Sequence, residues 1–402
     1  MATDKMTVTG QLMDTAYAES VEAECRSDSQ IERESAHAAI NVYAHLAVDK
    51  DAVEWRRKRD SGDLVGINDP TPYGYGRAEE MGCRVTFSKS KKESGFDKLC
   101  RLGVRAIMGA DLVHAWRNRA AIRDADIVWT HTESQFLGVA MAGVLLRKRV
   151  RIIGQSVWLM DSWGAMMPPK KALFRWLISR VDVLTFHSPE NYARAKALFR
   201  GANIKLVKFG IPAETRKIPV ERHSGPVINI LAIGNDRHRD WKTLIDAVGG
   251  NANYRVKILS GSVPKRLVTR GGNVEVTRAS SNDELHKAFD DATLVCVPLK
   301  ENLHASGLTA IQEAVLSGVP VVATDIGGLD AYFSADEVRY VPIGDAAALR
   351  AAFDEIAQHP AEARERASRA QARMTDPEGL GAQTYVRRHV ELSRDILGQQ
   401  CP

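Results

Sequence analysis

Residues 306–328 read SGLTAIQEAVLSGVPVVATDIGG, an order of residue types that can bind a phosphate-bearing ligand. A short helix opens at Ser306–Gly307. A small-residue turn, a strand-like PVVAT and a Gly-Gly loop follow it. The amino end of a helix has backbone N–H groups without intrahelical partners and the positive end of the helix dipole, which together suit a diphosphate. Ser306, Thr309 and Glu313 fall on one helical face, while Leu308, Ile311, Val315 and Leu316 form an apolar face to pack on a sheet. Glu313 stands roughly 10 Å along the helix from Ser306. That is about the reach of a nucleotide sugar from its phosphates to its ribose, whose two hydroxyls a carboxylate can accept. A lone helical glutamate is ordinarily a solvated face residue, but the SG start before it and the strand and glycine loop behind it favour a binding role.

Three other constellations could do chemistry. Gly234-Asn-Asp-Arg-His-Arg-Asp-Trp-Lys242 follows a strand and opens a helix. Gly234 and Asn235 begin this loop, and Arg237, Arg239 and Lys242 could hold a diphosphate and stabilise its charge as it leaves. Exposed loop cations are common, so each is evenly balanced against a solvated role; Arg239 and Lys242, which flank the helix start, are the strongest. His131 in Trp129-Thr-His-Thr-Glu133 would stand at the carboxyl end of a strand, facing a cleft, or equally cap a turn. Finally, the loop 154–171 mixes apolar residues with Lys170 and Lys171. With Arg147-Lys-Arg-Val-Arg151, Arg117 and Arg119 it could dock on an anionic membrane, or be an acceptor loop beside a solvated basic face.

These residues need a scaffold, and the pattern supplies one. Strand-like runs (40–46, CRVTFS, 126–130, 150–154, 181–186, 204–208) alternate with helical stretches in the first half. Ser188 followed by Pro189 marks a helix start. Pro70, Pro72, Gly74 and Gly76 in INDPTPYGYG argue against regular structure there. FGIPAETRKIPVERHSGP, residues 209–226, reads as a linker with three prolines and no period. The alternation then restarts with VINILAIG, YRVKILS, NVEVT, TLVCVPL, PVVAT and VRYVPI. Alternating strands and helices imply parallel sheets with right-handed crossovers. The expected fold is α/β, with two Rossmann-like domains facing a cleft. The expected divisions are a poorly ordered tail at 1–38, a first Rossmann-like domain at 39–212, a linker at 213–226, a second Rossmann-like domain at 227–378, and an amphipathic helix at 379–402 that returns to the first domain.

The chain has 402 residues, 44% hydrophobic and 26% charged, with a net charge of +5, which allows real cores and is too balanced for a typical nucleic-acid binder. Five cysteines without a C-x-x-C pair read as ordinary thiols in a reduced compartment, with no zinc-ligand spacing. The amino terminus lacks the pattern of a signal peptide. The longest apolar run, Phe136–Leu146, is far short of the ~20 residues that span a bilayer. The expectation is a cytoplasmic protein, touching a membrane at most peripherally on its inner face. Gly74-Tyr-Gly76-Arg-Ala-Glu79 lacks the third glycine of a dinucleotide fingerprint, and no G-x-x-x-x-G-K-[ST] loop exists.

Taken together, these segments resemble the retaining, nucleotide-sugar-dependent glycosyltransferases of GT-B fold (family-4-like) over about residues 40–395, with 306–328 the specific part. The resemblance implies that Arg239, with Lys242 nearby, binds the diphosphate, that His131 contacts the transferred sugar near the reaction centre, and that Glu313 binds the ribose. It implies transfer of a hexose-type sugar to a hydroxyl of a glycan or lipid-linked glycan, with retention and without metal or other cofactor, in polysaccharide, glycolipid or glycoconjugate synthesis. The leaving diphosphate oxygen would take the acceptor proton. The sequence departs from the pattern twice. Ala305 stands where the first glutamate of a Glu-x7-Glu motif is expected, leaving the sugar hydroxyls to His304, Asn302 or the Ser306–Gly307 backbone. The glycine-rich loop after the first strand is replaced by Ala47-Val-Asp-Lys-Asp51. Two other readings share the fold: a nucleotide-sugar epimerase and a non-catalytic scaffold.

Overall fold

The computed structural model describes residues 39–222, 225–268 and 272–398. The expected tail at 1–38, Cys25, Cys401 and the end of the last expected segment lie outside them. The described residues from Asn41 onward make one compact unit. The two sheets within it are therefore best described as halves.

The N-terminal half carries β1 (Ile40–His45), β2 (Cys83–Phe87), β3 (Ile127–Thr130), β4 (Ile152–Ser156), β5 (Val183–Phe186) and β6 (Ile204–Leu206), in the order β2-β1-β3-β4-β5-β6. The C-terminal half carries β7 (Ile228–Ile233), β8 (Tyr254–Leu259), β9 (Val274–Thr277), β10 (Leu294–Val297), β11 (Val321–Thr324) and β12 (Arg339–Val341), in the order β12-β11-β10-β7-β8-β9. Pairing is parallel from β1 through β3, β4 and β5 to β6, and throughout the second sheet. β3, β4, β5, β10 and β11 are buried at every position, as sheets covered on both faces require. Period-2 alternation divides the second half's core in two. Leu231, Val295, Val297 and Val321 face one layer, and Ile230, Leu294, Cys296 and Val322 the other.

The expected strands are present, with β4 two residues later than the 150–154 run suggests. The stretch 67–76 differs more. Pro72–Met81 forms 3-10 turns with a kink where Tyr73 (φ 59°) and Gly74 (φ 73°) are left-handed. Tyr75 beyond the kink is fully buried, so the prolines and glycines shape a packed segment rather than an open loop. Helices at Gly95–Met108, Leu112–Arg117, Arg119–Asp124 and Pro360–Thr375 have no counterpart in the sequence reading. Cys83, Cys100 and Cys296 are unpaired thiols.

The final helix, Ala382–Leu397, lies on the N-terminal half. Ser393 Oγ accepts from Trp129 Nε1 of β3 at 2.9 Å, and Tyr385 and Tyr75 share a hydroxyl contact at 3.0 Å. The chain therefore passes between halves twice, and the crossings touch: Ala382 N–H donates to Ile211 O at 3.0 Å.

Candidate active site

The loops after β7 and β10 meet at the carboxyl ends of adjacent parallel strands, where open α/β sheets hold ligands. Arg239 N–H donates to Asp236 O, Asp240 N–H to Pro298 O (2.9 Å), and Lys300 N–H to His238 O (2.7 Å), laying one loop along the other. Arg239 is only 5% exposed. Its guanidinium runs between two glycines: a Cβ at Gly234 (φ +133°) or at Gly307 (φ +86°) would collide with it. Nε and NH1 have no hydrogen-bond partner, and neither has the buried Oγ of Ser306, the residue before Gly307. Burial lowers the guanidinium to about 10, so it stays charged at neutral pH. The Asp236 carboxylate offsets part of the burial without bonding the guanidinium; a desolvated cation so placed is costly, and a bound anion relieves that cost.

The helix Leu308–Leu316 begins at the same place, with Gly307 as its left-handed N-cap. Its first intrahelical bond runs from Ile311 to Gly307 O at 3.1 Å; Leu308 N–H donates back to Ala305 O at 3.2 Å, which leaves the N–H groups of Thr309 and Ala310 in the first turn without intrahelical partners. Ser306 N–H donates to Asn302 Oδ1 at 3.1 Å. Ala305 is buried at φ 53°, a conformation that costs an L-residue roughly 1–2 kcal/mol. It turns the backbone so that Ser306 and Gly307 meet Arg239. Thr309 is exposed on the first turn.

Glu313 faces the other half. Its Oε1 accepts the Ile67 N–H at 3.0 Å. Gly66 (φ +109°) has no room for a Cβ against that oxygen, and its N–H donates to Asn282 Oδ1 at 2.8 Å. Val65 and Ile67 pack into the C-terminal core. Burial raises the Glu313 carboxyl to about 7, although the Ile67 amide favours its charged form.

The remaining expected residues are distributed as follows. His304 does not point a free nitrogen at a ligand. Nδ1 meets Asp161 Oδ2 at 3.0 Å and Nε2 meets Asp236 Oδ2 at 3.1 Å, while Asp161 Oδ1 also accepts from Leu303 N–H at 2.8 Å. Burial opposes charge on His304, but the two carboxylates outweigh it and raise the imidazole to about 9. The ring thus fastens the N-terminal half, through Asp161, to the loop after β7. Lys242 lies on the outer face of its helix, because Trp241, Leu244 and Ile245 take the inner one, and it pairs with Asp246. With Arg239, Arg266 and Lys300 it lines a crevice. Arg237 is exposed. Asn235 Oδ1 is occupied by the Gly261 N–H (2.7 Å) and Ser260 Oγ (3.3 Å). Asp236, His238 and His304 offer ligand atoms within 4.8 Å of one another, the group among the described residues best placed to hold a metal, though both His304 nitrogens already meet carboxylates.

His131 follows β3 and is enclosed by rings. Tyr73 stacks on it with centroids 3.3 Å apart, and His187 (5.6 Å) and Phe209 (5.7 Å) flank it. Nδ1 lies 3.3 Å from Tyr75 OH and 3.4 Å from Tyr385 OH. Burial first, then neighbouring histidines, push its pKa well below the ordinary value, so the imidazole is neutral. The C-terminal half supports the cage through Tyr332, whose OH donates to His187 O at 2.8 Å and accepts from Phe209 N–H at 2.9 Å.

The proposed membrane surface at 147–171 divides. Residues 147–151 precede β4 and the loop 157–167 follows it, so the two lie at opposite ends of a five-residue strand, about 15 Å apart. Arg149 pairs with Asp182, and Arg117 with Glu93. Among the described residues no helix is long and apolar enough to cross a membrane.

Comparison with known proteins agrees with this geometry. Residues 228–359 match the family described as Glycosyl transferases group 1. The fold is GT-B. A sucrose-phosphate synthase from Thermosynechococcus elongatus superposes with a TM-score of 0.68 at 17% identity, covering 89% of this chain and 99% of its own. The Anabaena HepE protein, solved with UDP and glucose, gives 0.59 at 14%, covering 88% and 99%. A UDP-forming α,α-trehalose-phosphate synthase from Burkholderia vietnamiensis gives 0.57 at 13%, covering 89% and 97%. No curated protein matches the sequence. The resemblance to GT-B glycosyltransferases read from the sequence is borne out in the fold and in the group 1 match of the C-terminal half.

Several site residues have no signal in the sequence: Asp161, Asp236, Gly66, Ile67 and the tyrosines around His131. Each works through a partner far along the chain. Asp236, three residues before Arg239, and Asp161, in the loop 154–171, lie in loops already singled out and could have been suspected.

Proposed function

We propose that this protein transfers a sugar from a nucleoside-diphosphate sugar to a hydroxyl acceptor, with retention at the anomeric carbon. The observation that carries this is the buried Arg239 guanidinium, its Nε and NH1 unpartnered, against Gly307 at the start of the Leu308–Leu316 helix, where Ser306 Oγ is unpartnered too. Those groups meet the charge of a leaving diphosphate without recourse to a metal, and the diphosphate oxygen can take the acceptor proton. The neutral imidazole of His131 suits a hydrogen-bond role at the sugar better than a cationic one. Glu313 would accept the ribose hydroxyls, in which case the amide of Ile67 shares its carboxylate or gives way. UDP is the first nucleotide to test, because the HepE protein was solved with UDP and glucose. The acceptor on this reading is a glycan or lipid-linked glycan, used in polysaccharide, glycolipid or glycoconjugate synthesis at the inner face of a membrane.

A calorimetric and thermal-shift panel of UDP, GDP and ADP with their sugars is expected to give binding by one base, lost in Arg239→Ala. Transfer should persist in EDTA, and NMR of the product should show the donor's anomeric configuration. No binding across the panel would refute the proposal, and release of an epimer from the sugar nucleotide alone would replace it.

A further inference from the structure

A surface helix normally turns its apolar stripe inward. Gly95–Met108 does the reverse. Phe96 is 75% exposed, Leu99 69% and Ile107 80%, and Cys100, one turn from Phe96, is exposed with them. The side turned to the body is charged. Arg101, buried, donates to Glu93 at 2.9 Å and reaches Asp111 at 3.4 Å; Arg105 stands 4.0 Å from Asp111. Buried ion pairs therefore fix which way the helix faces. Asp97, its single acid, is engaged in a capping box with Ser94.

The apolar face continues past the end of the helix. A crevice of about 840 Å³ runs between Ile107, Met108, Met166, Met167 and Leu173. Lys170 closes its rim, near enough that a Cβ at Gly109 would touch it at 2.9 Å. Lys91, Lys92 and Lys98 border the other end, all exposed.

We propose that this face docks on an anionic lipid bilayer. Phe96, Leu99, Ile107 and Met167 enter the acyl boundary, and the lysines stay at the level of the headgroups. Charge chooses this occupant. A second copy, related by a two-fold axis, would set the same lysines against themselves, whereas anionic headgroups neutralise them. The surface adjoins the cleft: Ser162 lines the crevice, and Asp161 beside it holds Leu303 and His304 of the loop after β10. On the sugar-transfer reading, on which this clause alone rests, the acceptor hydroxyl arrives on a lipid.

Flotation of the full chain with phosphatidylcholine vesicles, with and without phosphatidylglycerol, tests the docking. Binding is expected only with phosphatidylglycerol, weakening with salt and falling at least about tenfold in the double variant Leu99→Asp, Ile107→Asp. Both positions are exposed, so the variant should keep the wild-type melting temperature. Maleimide labelling of Cys100, read on its own peptide, should be fast in free protein and slowed by anionic vesicles. No flotation, equal flotation of the variant, or a Cys100 already shielded without vesicles would overturn the proposal. So would a solution dimer that the double variant dissolves, which would give the face to another copy. Nucleotide binding by both proteins separates the two readings. Its persistence without vesicle binding removes only the docking, and its absence with vesicle binding removes only the sugar transfer.

Discussion

Arg239 and His131 are both buried at the carboxyl ends of their sheets, but the protein buries them in opposite ways. Arg239 is left between two glycines with Nε and NH1 unpartnered, a charge that Asp236 favours but does not bond. His131 is enclosed by aromatic rings, with tyrosine hydroxyls at Nδ1 and no charge. One site is incomplete without a ligand; the other is nearly complete already. On the proposed sugar-transfer reading, the difference separates the two ends of the substrate: the phosphate end would be recognised by an unmet electrostatic need, the sugar end by a preformed neutral shape.

The largest test of that contrast is Arg239→Met. Turnover is expected to fall about 10²–10³-fold, as on losing a group that stabilises developing charge. The ligand-free melting temperature should rise, because an unpaired buried cation has gone. A lower melting temperature would mean that the guanidinium is satisfied after all. His131 should behave in reverse. His131→Ala opens a cavity and is expected to cost about 2–4 kcal/mol in urea unfolding, whereas His131→Phe should keep the cage and lose about 10²-fold in transfer rate. Full activity in His131→Phe would reduce the residue to packing.

Glu313 gives a third, smaller test. A carboxyl raised to about 7 in the folded state holds protons that the unfolded chain has released. It therefore subtracts stability as pH rises from the usual glutamate range through about 7. Its ionised form, the one that would accept ribose hydroxyls on the proposed reading, grows over the same interval. Nucleotide affinity is expected to increase by up to about tenfold between about pH 6 and pH 8, and Glu313→Gln should flatten the profile. A calorimetric profile unchanged by that substitution would leave Glu313 only its contact with Ile67. The smallest effect is expected from Lys242→Ala, which should shift stability by no more than about 0.5 kcal/mol and leave kcat within about twofold, since the side chain pairs with Asp246 on the outer face.

The contrast also explains what could be read in the sequence. The strands were legible because parallel strands covered on both faces are nearly continuous apolar runs, as in VINILAI and PVVAT. Arg239 and the Ser306–Gly307 start were legible because their geometry is local to two loops after strands. Lys242 looked equally apt in sequence, and only the packing of Trp241 and Leu244 decides that it points away. Glu313 was legible as a position but not as an environment, since Ile67 lies 246 residues earlier. His304 and Asp161 are 143 residues apart, and their meeting requires the two halves to be assembled. The Gly95–Met108 helix has a helical period, but a period cannot say which face turns inward, and here buried ion pairs make that choice.

The two crossings between the halves have a mechanical consequence. A plate hung from one cord can twist and drift, but two cords side by side leave it mainly a swing. Gly210–Ile211 and Leu380–Gly381 are such a pair. Ala382 bonds Ile211, and the Gly210 position is too tight against Leu380 O and Gly381 for a Cβ. Any separation of the halves therefore pivots about this point, and a side chain at Gly210, which must push Leu380 and Gly381 away, should loosen the axle while leaving both sheets folded. Hydrogen exchange would register this as faster opening at Leu303 N–H, whose bond to Asp161 ties one half to the other.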